Sequence, residues 1–355
     1  MASLAPRVVI AAPSRLNPYP VLFHRSVRQA DPSLPCELWR DGLSWRRLLG
    51  RERPDILHLH WLELLYQHYA PPRRRLLMWL NLLGYVSVAR LLGIRIIYTV
   101  HNVWHHEEVG RRLHRLANGF VLRSAAAVHV HDDVARDHLQ RSFRVRAPVV
   151  VVPHGNYIGW YANDCTKAAA RERLGLPPDS FIYLSLGHVR PYKGMEELLA
   201  AFAELPAADT LLLIAGRARP PEQGEWLRSQ AEGDARVRLC LDYVPDDEMQ
   251  LYMNSADAVV LPYRRATTSG AAILALSFGV PVIAPALGPF PALLQDGGGI
   301  LYDPLQPDGL AAALQAAMHA DMAEMKRSAW KAARRLDWEP IGQRLAALYR
   351  RVAAT

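Results

Sequence analysis

Short apolar runs alternate with longer amphipathic segments along the whole chain, which is the pattern of parallel strands joined by helices. In the first half, the apolar runs end in polar or histidine-bearing turns. They are RVVIAAP, DILHLHW, RIIYTVHN, AAVHVHDD and VVVVPHG. The second half repeats the pattern with FIYLSLGHVR, TLLLIAG, VRLCLDYV, AVVLPY and VPVIAP. The sequence therefore predicts an α/β protein with two doubly wound sheets.

The length of 355 residues is too great for one ordinary core and fits two α/β domains with a cleft between them. We expect the first domain to span residues 1–165 and the second to span 166–335. The boundary follows the turn-rich segment HGNYIGWYANDC. Residues 336–355 have the pattern of a helix, and we expect this helix to cross back to the first domain.

Polar residues follow each strand of the first half. In a doubly wound sheet, ligands bind outside the carboxyl ends of the strands, so these residues should gather along one edge. The residues expected there are Ser14 to Tyr19, His60, His101, His131 and His154. Those expected to line the cleft are Asn17, Tyr19, His60, His101, Asn102 and His154. In each H-x-H pair we expect one histidine to face the site and the other to face the core. That expectation disfavours paired metal ligands, and we predict no metal.

The segment GHVRPYKGMEELLAAF carries the clearest chemical signal in the second half. A strand delivers Arg190 and Lys193 to a turn, and a helix begins just after Gly194. Two cations and the free N–H groups of a helix N-terminus favour a diphosphate. The segment has neither a Walker A nor a GxGxxG pattern, which disfavours a P-loop kinase or a nicotinamide dehydrogenase.

A second helix N-terminus follows in LPYRRATTSGAAILALSFGVPVIAP. Its turn offers hydroxyls and backbone N–H groups at Thr268, Ser269, Gly270 and Ala271, which suit a distal phosphate and a sugar. Two such helix ends can hold a diphosphate without metal, and no acidic cluster of hard-metal ligands stands out. We therefore expect no metal and no cofactor.

The net charge of +8 is concentrated in the first half of the chain. Residues 1–165 contain 22 arginines, no lysine and 12 acidic residues, for a net charge of +10, and the remainder carries −2. Such a basic half suggests an anionic partner. A membrane surface is favoured over nucleic acid, because no single-strand-binding, zinc-finger or RNP pattern is present. An arginine-rich solvated surface without a partner remains an alternative.

Residues 71–92 begin with three arginines, Arg73 to Arg75, and continue as LLMWLNLLGYVSVARLL. The arginines and Trp79 suit an amphipathic helix at a membrane interface, and a buried helix of the first domain fits equally. The apolar stretch is interrupted by polar residues and is short for a membrane span. Three widely spaced cysteines and the lack of a secretion signal favour a cytoplasmic protein, with attachment to the inner face of the cell membrane as an extension.

The motifs G-x-x-R-P-Y-K-G, P-Y-x(5)-S-G and A-L-S-x-G-x-P-V together resemble the donor domain of family 4-like GT-B glycosyltransferases. The segments D-I-L-H-L-H-W, T-V-H-N and V-P-H-G resemble the first-domain strands of the same fold. Within that superfamily, N-P-Y at 17–19, H-L-H-W-x-E at 58–63 and H-N-x-x-x-H-E at 101–107 are similar to GDP-mannose:glycolipid β-mannosyltransferases of xanthan-type assembly. The resemblance covers nearly the whole chain.

This resemblance implies two Rossmann-like domains and transfer of a sugar, with mannose from GDP-mannose as the best candidate. The acceptor would be a lipid-linked or polysaccharide-precursor saccharide, bound by the first-domain residues named above. The nucleotide base would lie in the second domain near Gly216, Tyr243 and Val244. Retaining relatives carry two glutamates eight residues apart, and the corresponding positions here are Ala266 and Leu274. The missing pair favours inversion.

An inverting transfer needs a base that accepts the proton of the acceptor hydroxyl. We expect this base in the first domain; the candidates are Glu107, His106 and Glu63, and Glu107 is the first choice. The position of the usual phosphate-binding arginine is occupied by His188, and we expect Arg190 to take its role. Four alternatives stay open: a retaining enzyme with altered machinery, a UDP-sugar donor, a nucleotide-sugar epimerase and a catalytically degenerate partner subunit.

Overall fold

The computed structural model describes residues 5–66, 70–102, 111–206 and 209–355. The chain divides into two compact units: unit 1 comprises Met1–Gly155 and Asp337–Thr355, and unit 2 comprises Asn156–Leu336. The boundary lies earlier than the expected one at 165/166, because the turn-rich segment packs within unit 2. The Tyr157 N–H donates to Ser277 Oγ (3.0 Å). The Asp164 and Cys165 N–H groups both donate to Gln250 Oε1 (3.0 Å each).

Unit 1 is built on a parallel sheet with the strand order β2-β1-β3-β4-β5-β6. Its strands are β1 Val8–Ala11, β2 Cys36–Trp39, β3 Ile56–His60, β4 Arg95–Thr99, β5 Ala125–Val130 and β6 Val149–Val151. The chain leaves β1 toward β2 on one side and returns to β3 on the other. The carboxyl ends of β1 and β3 therefore flank a topological switch point, where ligands bind in such sheets.

Helices cover both faces of this sheet. In chain order up to residue 155, they are α1 Tyr19–Ala30, α2 Trp45–Leu49, α3 Leu62–Leu65, α4 Pro72–Leu91, α5 Arg111–Ser124 and α6 Asp133–Ser142. Pro72 suits the start of α4, because its missing N–H would have no partner in the first turn. At the start of α6, Asp132 Oδ1 accepts a hydrogen bond from the Ala135 N–H (2.6 Å).

Unit 2 contains a second parallel sheet, with the order β12-β11-β10-β7-β8-β9. Its strands are β7 Phe181–Leu186, β8 Thr210–Ala215, β9 Val237–Cys240, β10 Ala258–Val260, β11 Val282–Pro285 and β12 Gly299–Tyr302. The central strands β7, β8, β10 and β11 are almost fully apolar, as expected for strands covered on both faces. Here the switch point lies between β7 and β10.

The helices of unit 2 follow its strands, and a short 3-10 turn, Pro191–Lys193, precedes α8. They are α7 Lys167–Arg173, α8 Met195–Ala203, α9 Glu222–Ala231, α10 Met249–Ser255, α11 Gly270–Ser277, α12 Phe290–Leu294, α13 Gly309–His319 and α14 Met322–Arg334. The last helix, α15 Trp338–Ala354, belongs to unit 1 and packs against α1. A side chain at Gly342 would collide with the backbone of Ser26, so glycine permits this close approach.

The predicted α/β class with two doubly wound sheets is confirmed, and every predicted strand is present. The sequence pattern missed β2 and β12, which both lie at sheet edges and are only partly buried. Among the helices that the structure describes, none combines the length and apolarity needed to cross a bilayer.

Candidate functional site

In unit 2, the loops that follow β7 and β10 meet at the switch point. Lys193 Nζ lies 5.2 Å from the ring centroid of Tyr263, in cation–π geometry. The Arg264 N–H donates to the Tyr192 carbonyl oxygen (3.0 Å), which ties the two loops together. The loop carrying Arg190 and Lys193 is therefore fixed against the end of β10.

Glycines allow this close packing. Gly194 has a φ of +68°, and a Cβ at this position would collide with the carbonyl oxygen of Pro262. Gly187 has a φ of +114°, and a Cβ there would lie 3.1 Å from Lys193 Nζ. The contact with Pro262 therefore excludes a side chain at position 194, and the left-handed φ disfavours one at position 187, where the backbone after β7 lies close to the Lys193 ammonium.

The electrostatics of this loop favour an anion. Burial lowers the pKa of Lys193, and the positive charge of Arg190 acts in the same direction. A desolvated ammonium near a second cation gains most from a ligand with negative charge, such as a diphosphate. His188, in place of the usual arginine, is largely exposed, and the partial desolvation of its ring is the main cause that lowers its pKa.

The start of α11 forms the second part of the predicted donor site. Ser269 Oγ caps the helix by accepting from the Ala272 N–H (3.2 Å). Gly270 and Ala271 follow in the first turn, where backbone N–H groups lack partners within the helix. Thr268 Oγ1 is buried without a hydrogen-bond partner among the described residues. The turn therefore offers a hydroxyl and helix N–H groups to a ligand.

The residues predicted to contact a nucleotide base lie after β8 and β9. Gly216 follows β8, and its N–H donates to the Cys240 carbonyl oxygen (2.8 Å). A Cβ on Gly216 would lie 2.5 Å from the carbonyl oxygen of Gly187, so this position adjoins the loop after β7. Tyr243 is partly exposed and Val244 is buried, a few residues beyond β9.

Where retaining relatives carry two glutamates, this chain presents side chains without acid–base chemistry. Ala266 is half-buried in the loop before α11, and Leu274 is buried in that helix.

In unit 1, the predicted residues gather around the buried ring of Tyr19. Its centroid lies 4.5 Å from that of His154, 5.3 Å from that of His101 and 5.9 Å from that of His60. Asn17 Oδ1 accepts from the Tyr19 N–H (3.0 Å), and Asn102 directly follows His101. The carboxyl ends of the strands thus bring these residues together, as the sequence predicted.

His131, also expected at this edge, belongs to the cluster, with its ring centroid 5.6 Å from that of Tyr19. Two further aromatic residues, Trp61 and Trp338, were not among the predicted site residues, and each lies within 6 Å of Tyr19, centroid to centroid. Trp338 begins α15 and comes from the far end of the chain. Gly155 makes room for its indole, because any side chain there would collide with Trp338, but this long-range contact leaves no signal in the sequence.

The expectation that H-x-H pairs split between site and core was wrong. The ring centroids of His58 and His60 are 4.5 Å apart, and those of His129 and His131 are 4.9 Å apart. The physical reason is the two-residue period of a strand, which places residues i and i+2 on the same face. Each pair therefore faces one side of the sheet.

One chain of hydrogen bonds fixes the tautomers of two histidines. The Val152 carbonyl only accepts, so His129 Nε2 donates to it (2.8 Å). Thr99 Oγ1 then donates to His129 Nδ1 (2.8 Å) and accepts from His58 Nε2 (2.7 Å). The Tyr349 hydroxyl donates to His58 Nδ1 (2.7 Å), which connects α15 to three strands.

A second chain runs through the other histidines. His131 Nδ1 is 3.4 Å from the Val152 carbonyl oxygen, and its Nε2 is 3.3 Å from His101 Nδ1. His101 Nε2 is 3.0 Å from His60 Nδ1. When each ring donates to the next one toward His131, His60 donates from Nδ1, and its Nε2 carries no proton and can only accept. His60 Nε2 is buried without a partner among the described residues.

Burial keeps this cluster uncharged near neutral pH. It lowers the pKa of His129 and of His154 to about 4. Burial also lowers the pKa of each remaining histidine of the cluster well below its usual value: His58, His60, His101 and His131. Neutral imidazoles can accept hydrogen bonds or a proton from a bound hydroxyl.

Glu63 lies in the first turn of α3, two residues after Trp61 of this cluster. Trp61 is the residue at which the helix is capped, and its φ of +45° is rare for a non-glycine residue and marks local strain. The Trp61 indole stacks on His101 with centroids 4.0 Å apart and planes inclined by 10°. Burial raises the pKa of Glu63 to about 7. The other two predicted bases, His106 and Glu107, lie outside the described residues.

Among the described residues, no three His, Cys, Asp or Glu side chains are arranged to hold a metal ion. Metal independence stays a prediction.

Two family profiles match successive parts of the chain. Residues 4–155 match the Glycosyl transferase 4-like domain, and residues 166–336 match Glycosyl transferases group 1. The chain is similar to GDP-mannose:glycolipid 4-beta-D-mannosyltransferase of Xanthomonas campestris pv. campestris, with 28% identity over 96% of this chain and 92% of the relative.

Solved structures share the fold over almost the full length. Sucrose-phosphate synthase of Thermosynechococcus elongatus aligns with a TM-score of 0.76 and 19% identity, over 99% of each chain. Anabaena HepE in complex with UDP-glucose aligns with a TM-score of 0.73 and 16% identity, over 96% of this chain and 98% of that one.

Proposed function

The chain belongs to the group 1 glycosyltransferases of the GT-B fold, and from this premise we propose that it transfers mannose from GDP-mannose to a glycolipid acceptor with inversion. The observation that carries the donor half of the proposal is the loop after β7. There a half-buried lysine, Lys193, lies near Arg190 and against the loop after β10. The start of α11 adds helix N–H groups and the buried Thr268 hydroxyl for the distal phosphate and the sugar.

The choice of mannose and of a glycolipid rests on the Xanthomonas relative, whose name gives both. The choice of inversion rests on Ala266 and Leu274, which cannot act as the glutamate pair of retaining relatives. Tyr243, Val244 and Gly216 are the proposed contacts of the guanine base. We propose that no metal is needed, because cationic side chains and helix N–H groups can neutralise the diphosphate.

The proposed reaction is a single displacement. The acceptor hydroxyl oxygen attacks the anomeric carbon, the bond from that carbon to the diphosphate oxygen breaks, and GDP leaves with the bonding electrons. Lys193 and Arg190 stabilise the negative charge on the leaving group. Glu63 accepts the hydroxyl proton, and its pKa of about 7 suits that role near neutral pH. Asn17, Tyr19, His60, His101, Asn102 and His154 would contact the acceptor saccharide.

The proposed location is the cytoplasmic face of the cell membrane, where a lipid-linked acceptor is available. The surplus of arginine in residues 1–165 supports contact with anionic lipids.

The donor site is tested by the binding of nucleotides to purified protein. We expect GDP to raise the melting temperature more than UDP does, because a ligand bound only by the folded state stabilises it. Lys193→Ala should weaken GDP binding about 10- to 100-fold, the usual effect of losing one hydrogen bond to a charged group. Lys331→Ala, which removes an exposed lysine of α14 in the same unit, should bind GDP like the parent protein.

Product analysis tests the reaction itself. Incubation with GDP-mannose and a lipid extract from a polysaccharide-producing bacterium should yield a β-linked mannolipid and GDP. Unchanged GDP affinity in Lys193→Ala would contradict the donor site. An isomerised nucleotide sugar formed from donor alone would identify an epimerase instead, and an α-linked product would identify a retaining enzyme.

A further inference from the structure

Helix α4 is apolar on two opposite faces, which is unusual for a helix at the surface of a unit. One face packs into the core of unit 1 through Leu82, Tyr85, Val86 and Ala89, all fully buried. An amphipathic helix of a globular protein would carry polar residues on the opposite face. In α4 that opposite face carries leucines instead.

These leucines are open to solvent. Leu76 is 46% exposed, Leu77 is 62% exposed and Leu80 is 51% exposed. Their spacing of i, i+1 and i+4 places them along one side of the helix. The neighbouring helix α5 is tied to α4 by a hydrogen bond from Trp79 Nε1 to the Leu113 carbonyl oxygen (3.0 Å), and it adds the exposed Leu116. Single exposed leucines are common, but several on one helix face indicate an interaction surface.

Among the described residues of α4 and α5, the charged side chains are all basic. Arg73 and Arg74 are exposed in the first turn of α4, and Arg112 and Arg115 are exposed on α5. The sequence of α4 contains no Asp or Glu. Leucines flanked by arginines are complementary to a bilayer with anionic head groups, because leucine enters the apolar layer while the guanidinium groups stay with the phosphates.

A tryptophan and a cavity lie beside α4. The Trp45 ring lies against Gly84, and its Nε1 donates to Asn81 Oδ1 (2.7 Å). A partly exposed tryptophan with a satisfied N–H suits the interface between head groups and acyl chains. Beside it, a cavity of about 640 Å³ is lined by Arg15, Arg40 and Asp41 together with Leu64 and Met78. Asp41 pairs with Arg15, so Arg40 is the basic residue of this lining without a counter-charge in that pair.

We propose that the outward face of α4, formed by Leu76, Leu77 and Leu80 and flanked by Arg73 and Arg74, is a docking surface for an anionic lipid bilayer. The surface belongs to unit 1, whereas the donor loops belong to unit 2. It deepens the proposed function, because it specifies where the enzyme meets the membrane that carries its acceptor.

Vesicle flotation of the full-length protein, without donor, tests the surface. At low salt we expect the protein to bind vesicles of phosphatidylglycerol and phosphatidylcholine and to bind pure phosphatidylcholine far more weakly. The variant Leu76→Ser/Leu77→Ser/Leu80→Ser should bind the anionic vesicles at least about tenfold more weakly than the parent protein, because the apolar contribution to binding is lost. Arg73→Gln/Arg74→Gln should lower binding and reduce its dependence on salt.

Leu305→Ser is the matched control, because Leu305 is an 89% exposed leucine of unit 2. It should bind vesicles like the parent protein. Absence of vesicle binding by the parent protein, or undiminished binding by the triple serine variant, overturns the proposal. Equal binding to anionic and neutral vesicles also overturns the proposal. So does a parent protein that is a dimer in solution and becomes a monomer in the triple serine variant. GDP binding by the same variants is measured separately, so failure of this surface is distinguishable from failure of the donor site.

Discussion

Burial sets the chemistry of single residues in unit 1. Six histidines of one cluster are buried and have lowered pKa values, so they remain neutral, whereas burial raises the pKa of Glu63 to about 7. A carboxylate with such a pKa can accept a proton near neutral pH and release it again. The sequence placed Glu63 after a strand of unit 1, but its desolvation depends on residues distant in the chain. This property was therefore not visible in the sequence.

Glu63→Gln tests whether this carboxylate is the base. We expect sugar transfer to fall about 10²- to 10⁴-fold, the usual contribution of a general base. GDP affinity should stay unchanged, because the donor loops belong to unit 2. In the parent protein, the rate should rise with pH through about 7, since the base acts when it has lost its proton.

Two further variants serve as a control for Glu63→Gln and as a test of the alternative base. Glu52→Gln, at an exposed glutamate of unit 1 that pairs with Arg7 (3.4 Å), should transfer sugar normally. Glu107→Gln tests the remaining carboxylate among the predicted bases. Full activity of Glu63→Gln together with loss of activity in Glu107→Gln would assign the base to Glu107.

At the scale of elements, the sequence correctly predicted the strands that are strongly buried. The central strands were found because both of their faces are covered and their residues are continuously apolar. The edge strands β2 and β12 were missed because CELW and GILY are short and half-exposed, which weakens the apolar signal. Helix α4 was predicted with two alternatives, interfacial or buried. The structure shows one buried face and one exposed apolar face, a distinction that the pattern of leucines alone did not make.

The turn between β7 and α8 depends on Gly194, and its substitution tests that dependence. Gly194→Ala should both strain the left-handed backbone and force the Cβ against the Pro262 carbonyl. Gly175→Ala is the matched control, because Gly175 has a φ of +61° but no atom within 4 Å of a Cβ. We expect Gly175→Ala to cost about 1 kcal/mol in unfolding free energy.

Gly194→Ala should cost more than this control and should also weaken GDP binding, because Lys193 would move with the turn. Urea denaturation and GDP titration of both variants provide the measurement. Equal losses of stability in the two variants, with normal GDP binding in both, would show that the close contact with Pro262 does not position Lys193.

For the whole molecule, the two units follow from the repeated strand pattern, and the return of the last helix was expected from its position after the second sheet. The position of the boundary between the two units was less predictable. HGNYIGWYANDC looks like a linker, yet Tyr157, Asp164 and Cys165 form hydrogen bonds with residues far along unit 2. Contacts of such long range leave no periodic signal in the sequence.

The uneven distribution of buried histidines predicts that acid destabilises unit 1 before unit 2. All six members of the cluster belong to unit 1: His58, His60, His101, His129, His131 and His154. Their folded pKa values lie below the unfolded value near 6.5, so the unfolded state binds more protons as the pH falls. Their contribution to stability is complete above about pH 6.5 and is lost progressively toward pH 4. Each such histidine costs up to about 1.4 kcal/mol per pH unit in this window.

Glu63 and Asp132 act in the opposite direction, because their raised pKa values let the folded state bind protons first. Two carboxyl groups do not offset six histidines, so the free energy of unfolding of unit 1 should fall between pH 7.5 and pH 5. Urea denaturation across this range measures the loss, and hydrogen exchange assigns it to a unit. Amides of β3, β4 and β5 should lose protection at pH 5 while those of β7, β8 and β10 keep theirs. Equal loss in the two sheets would show that the histidine cluster does not control acid stability, and protection that rises in unit 1 would show that these histidines are charged in the folded state.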